Sequence, residues 1–145
     1  MLLNKSLIAV TTMIVSTAIA SVLLGGPVRA IRSGVWMPDL LVQTDQAPLA
    51  RGIEFGWQLD LAGHDDFVLR EELLLPAAPK HWGTTAATTI SADRTTATTI
   101  EHVDADTAMI EHRWQISAGD PPGLYLFRVY IDERLVVQRG IFFDG

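Results

Sequence analysis

The sequence predicts an all-β fold, an antiparallel β-sandwich of seven to nine short strands. Two observations carry this. Apolar and polar residues alternate at period two in several segments, most clearly at Ile53, Phe55, Trp57, Leu59 and Leu61 against Glu54, Gly56, Gln58 and Asp60. Turn signals rich in Pro, Gly and Asp recur at intervals of roughly 8 to 12 residues, the spacing of sandwich strands rather than of alternating strands and helices. Strands with one wet face also favour antiparallel pairing.

In chain order, Met1 to Lys5 is a short basic lead. Leu7 to Leu24 is apolar apart from threonines and serines, and Gly25-Gly26-Pro27-Val28-Arg29-Ala30 follows. This is the layout of a secretory signal, so residues 1–30 are assigned to it. Val28 and Ala30 suit the positions three and one before a cut after Ala30, and Ala18 with Ala20 offers an earlier site. The apolar run is also long enough for an uncleaved anchor, since about 17 to 25 residues span a bilayer. The folded unit is expected over 31–145 as a single domain.

Ser33 to Gln43 holds two apolar runs split by Pro38-Asp39, which restricts it to an edge strand or a strand start. In the next strand, Gly56 marks a bulge or a close approach by another backbone. Ala62 to Asp66 is a turn. Phe67 to Leu75 contains good helix formers behind a capping Asp66, but its length and neighbours favour a strand. Pro76 to Gly83 is a loop. Two threonine-rich strands with a polar turn at Ser91 to Arg94 account for Thr84 to Thr99. Ala108 to Ser117 puts Ile110, His112, Trp114 and Ile116 on one face. Gly119-Asp120-Pro121-Pro122-Gly123 is a turn that neither strand nor helix can cross. Beyond it Tyr125, Phe127, Val129 and Ile131 form a core face. Asp132-Glu133-Arg134 connects to a last strand from Leu135 to Phe143.

The chain resembles exported bacterial immunoglobulin-like domains, including periplasmic single-domain proteins of uncharacterised function. The resemblance rests on Gly52-Ile53-Glu54-Phe55-Gly56, the tryptophan strand after it, and the run Asp120 to Asp132, and it covers most of Gly52 to Phe143. It implies an immunoglobulin-like sandwich in which Tyr125 forms a corner with upstream backbone. It implies no activity.

The absence of cysteine means the fold relies on its core rather than on disulfides, which suits a periplasm, and it excludes thiolate zinc sites. The formal charge is −6 for the whole chain, and loss of Lys5 and Arg29 with the signal leaves nine basic against 17 acidic residues, a charge of −8. With basic residues scattered singly, a nucleic-acid partner is not expected. The membrane is expected to matter only through an uncleaved N-terminal segment.

For chemistry, hydrolase elbows, His-Glu-x-x-His and phosphate-cradling glycine loops are missing, and no cofactor is expected. An indole beside proline or in a loop can stack on a sugar or anchor a partner, so Trp36, Lys80, His81 and Trp82 are the candidate binding residues. Strand addition at Val35 to Val42 or Leu135 to Phe143 is a second route to a partner. The expectation is thus an exported, non-catalytic interaction module whose partner is an envelope protein or glycan. The alternative is a small periplasmic enzyme or metal-binding protein using His102, Asp104, Asp106 and His112, the last with Glu101 or Glu111 beside it.

Overall fold

The computed structural model describes Ser21, Val22 and residues 26–145. The apolar leader and the expected signal or anchor helix lie outside the described residues. Eleven strands follow in order: β1 Ser21–Val22, β2 Val28–Trp36, β3 Leu41–Gln43, β4 Gln46–Pro48, β5 Glu54–Leu61, β6 Phe67–Leu74, β7 Thr88–Ile90, β8 Thr96–Val103, β9 Met109–Gln115, β10 Gly123–Ile131 and β11 Arg134–Asp144. There is no helix among the described residues. Seven strands are long; β1, β3, β4 and β7 have three residues or fewer.

The strands form two sheets. One has the order β1-β11-β10-β6-β8-β7, with β4 also on β11; the other has the order β3-β2-β5-β9. All pairings are antiparallel except that of β4 with β11. The inner faces carry the residues that alternate in sequence. Trp57, Leu59, Leu69, Phe127, Val129, Ile141 and Phe143 are fully buried, and Phe55 meets Tyr125 and Phe143 edge-on at centroid distances of 5.5 and 5.0 Å. Such contacts add about 0.5–1.5 kcal/mol each to the area they bury.

The run after Asp66 is a strand, and its inward positions are Phe67, Leu69, Glu71, Leu73 and Leu75. Between β10 and β11 the turn is Asp132-Glu133 with φ of 45° and 65°; Arg134 already pairs with Ile131. Two left-handed residues give a turn whose twist matches the flanking strands. Tyr125 donates from its hydroxyl to the Pro121 carbonyl at 2.8 Å, the expected corner. Burial, and then the Asp120 charge, hold its phenol above the ordinary range.

Gly56 sits opposite Arg113, and a Cβ there would lie 1.9 Å from the His112 carbonyl oxygen. Gly34, paired with Gly56, has the same relation to the Val42 carbonyl oxygen at 1.9 Å. A Cβ is therefore excluded at both glycines, and the Arg113 guanidinium lies over the Trp36 ring at 3.6 Å.

Two expectations differ from the observed strands. β2 begins at Val28, which is buried and pairs with Leu61, so the expected domain start at Ile31 falls inside that strand. Leu135 to Phe143 is not an open edge: β10 covers one side, while β1 and β4 pair with the other at Val137–Gln138 and Phe142–Asp144. Among the described residues, β9 is the long strand with a partner, β5, on one side only.

Candidate functional site

The inner face of β6 is apolar except at Glu71, which is fully buried. A carboxylate so placed is tolerated only when its oxygens are filled. Three donors from the opposite sheet fill them. The Trp114 indole N–H donates to Oε1 at 2.9 Å, His112 Nδ1 lies 3.1 Å from Oε2, and the Trp57 indole N–H donates to the same oxygen. Each donor sits inward because β5 and β9 alternate; Trp57 pairs directly with His112, and their rings stack at 4.7 Å.

The far nitrogen of His112 faces β8, where Glu101 Oε1 lies 3.2 Å away but out of line for a hydrogen bond; Nε2 is buried. Burial pushes the imidazole pKa down. The Glu71 hydrogen bond and charge, followed by Glu101, outweigh burial and raise it to about 8. At neutral pH the imidazole is therefore mainly cationic, held between two carboxylates.

Outside this cluster the sandwich opens between β9 and the β7–β8 edge. Two adjoining cavities of about 230 Å³ each lie there and share Gly83, Arg113 and Trp114. One is lined by Thr85, Thr88, Thr99, Glu101, Glu111 and His112, the other by Pro79, His81, Trp82, Gln115 and Asp120 above Phe55 and Tyr125. The threonine hydroxyls form a chain, with Thr85 to Thr88 at 3.2 Å and Thr88 to Thr99 at 3.0 Å. The Trp82 ring stands nearly perpendicular to that of Trp114, at 76° and 5.9 Å, and its N–H donates to the Arg94 carbonyl at 2.9 Å. Arg113 pairs with Glu111 at 3.2 Å and Glu54 at 3.6 Å.

The residues singled out in the sequence are distributed as follows. His81 and Trp82 line the second cavity, and Lys80 is exposed beside it with its stem packed on Gly119. Trp36 is buried, with the Arg113 guanidinium 3.6 Å above its ring, so the free indole face expected there is covered. The quartet of His102, Asp104, Asp106 and His112 is not brought together. On β8, Thr99, Glu101 and Val103 face inward while His102 faces out, where it lies 3.4 Å from Asp104 and 3.5 Å from Asp66. The chain turns after Val103, with Thr107 N–H bonded to the Asp104 carbonyl, and this takes Asp106 away from that trio. Asp66 also accepts the Ala105 N–H at 2.7 Å, so the exposed trio ties two turns together.

Of the cluster partners, the sequence points to Glu101 beside His112 but not to Glu71. Its one sequence signal is position: it is a carboxylate at an inward step of an otherwise apolar face.

A protein-family model described as PM0630 beta sandwich domain matches residues 35–140. No curated protein matches the sequence. Among solved structures, an immunoglobulin-like protein from Pseudomonas aeruginosa superposes with a TM-score of 0.59 at 18% identity, over 88% of this chain and 99% of that one. The human F-spondin reeler domain gives a TM-score of 0.40 at 12% identity, over 83% of this chain and 92% of that one. The first likeness supports the immunoglobulin-like form of the sandwich.

Proposed function

We propose that this chain, which belongs to the PM0630 beta sandwich domain family, is an exported, non-catalytic binding module of the cell envelope. Its binding face is the groove between β9 and the β7–β8 edge. The observation that carries this reading is the pair of indoles, Trp82 and Trp114, which meet nearly perpendicular beside polar walls. Their N–H groups are already used by the Arg94 carbonyl and by Glu71, so a ligand would meet the parts of the two rings that are packed neither on the core nor on each other. His112, with Glu71 on one nitrogen and Glu101 over the other, acts as a strut between the sheets rather than as a base.

Export rests on the basic lead, the apolar run and the Ala18-Ile19-Ala20 site. A cut after Ala20 is favoured over one after Ala30, because the later cut would remove buried Val28 and the carbonyl of Pro27 that accepts the Ala62 N–H at 2.7 Å. Affinity capture from envelope extract with residues 21–145 tests the module. A component retained by the wild type and lost with Trp82→Ala is expected; equal retention by both forms removes the groove as the binding face.

A further inference from the structure

We infer that the groove beside β9 takes a neutral, hydroxyl-rich ligand, a sugar unit of an envelope glycan. The inference rests on the binding-module reading and adds the ligand's chemistry to it.

The first argument is charge. Four ionisable side chains line the cavity between β8 and β9: Glu101 and Glu111 are negative, and Arg113 and His112 are positive. They are already matched, His112 with Glu101 at 3.2 Å and Arg113 with Glu111 at 3.2 Å. Glu71 and Glu54 approach the same two cations, at 3.1 and 3.6 Å, so an anion entering this space meets four carboxylates around two groups that are already paired. A hydroxyl both donates and accepts, so it can bond to a paired carboxylate or guanidinium without breaking the pair.

The second argument is the complementary wall. Thr85 and Thr88 offer further groups that donate or accept, at the open side of the same cavity. Trp114 forms the boundary with the second cavity, and Trp82 stands across from it. A sugar ring has an apolar C–H face and an equatorial rim of hydroxyls, which match an indole face flanked by carboxylates and threonines. Each cavity, at about 230 Å³, is below the size that suits drug-sized molecules, and two in a row suit consecutive small rings. A protein strand added to the edge of β9 that has no partner among the described residues is a poorer fit, because Glu111 and Arg113 are the kind of charged residues that guard exposed edges.

Titration of the intact residues 21–145 with cellotetraose, maltotetraose and chitotetraose, read on the indole N–H resonances, tests this. At least one sugar is expected to shift Trp82 and Trp114 saturably, with an affinity that persists in about 1 M salt, where charge interactions are screened within about 3 Å. Trp82→Ala is expected to weaken binding at least tenfold. Glu101→Ala, at a half-exposed position, is expected to do the same, with an unshifted Trp57 resonance reporting that the fold is kept. No shift with any of the three sugars, or unchanged affinity in both variants, overturns the inference. If the sugars fail while envelope capture returns a protein lost in Trp82→Ala, the glycan falls and the module stands. If both experiments fail, both fall.

Discussion

Glu71 on β6 and His112 on β9 join the two sheets through the middle of the sandwich, with His112 Nδ1 3.1 Å from Glu71 Oε2. The residues are 41 positions apart in sequence. Their meeting converts a core face into the back wall of a groove, because the same carboxylate also fixes the Trp114 ring that divides the two cavities. Packing and the candidate site are thus set by one buried acceptor.

Glu71→Ala should be severely destabilising. It leaves the N–H groups of Trp57, Trp114 and His112 without their acceptor in the core, and breaking a buried charged pair from one side costs about 3–5 kcal/mol. Urea unfolding measures it; a loss below about 1 kcal/mol would contradict the assigned role.

Stability should fall with alkaline pH. The His112 pKa is raised from 6.5 unfolded to about 8 folded, so its contribution is fully present below the lower value and disappears as pH rises through the upper one. The shift corresponds to about 2 kcal/mol. Unfolding midpoints on either side of this window should differ accordingly in the wild type, and His112→Gln should flatten the dependence.

Gly56→Ala should destabilise by about 3 kcal/mol, because its Cβ would overlap the His112 carbonyl oxygen and push β9 away from β5. Gly63→Ala, where a Cβ meets nothing within 4 Å, is the control and should change stability by less than about 0.5 kcal/mol. Comparable losses at both positions would contradict the close approach.

Tyr125→Phe removes the corner bond to Pro121 and should cost about 1 kcal/mol, with the ring packing retained. A change indistinguishable from zero would mean that water replaces the hydroxyl at no cost.

On the proposed export, the mature chain should begin at Ser21. N-terminal sequencing of envelope-fraction protein reads this directly; a start at Ile31 would remove Val28 from β2 and contradict the proposed cut.

The strands were legible because their side-chain period is local. The alternation around Trp57, Trp114 and Phe127 indicates which face is buried, and the Gly56 and Tyr125 features follow from the same short windows. What the windows do not encode is which strand faces which. Glu71 lies within Leu-Arg-Glu-Glu-Leu, a run whose charges suggest solvent, and only the opposite sheet reveals its three donors. Trp36 beside Pro38 reads as accessible, yet it is buried with Arg113, a residue of another strand, over its ring. His102, Asp104 and Asp106 would share a face in an extended strand, but β8 ends at Val103 and the turn separates them. The covering of β11 by β4 requires a parallel pairing between Gln46 and Phe142, about two thirds of the chain apart, which no local pattern announces.

The most direct test of the groove is to record the four tryptophan indole N–H resonances of residues 21–145 with and without envelope extract. The account predicts shifts at Trp82 and Trp114, with the fully buried Trp57 and the arginine-covered Trp36 changing little. Unchanged Trp82 and Trp114 signals alongside binding detected elsewhere on the surface would contradict it.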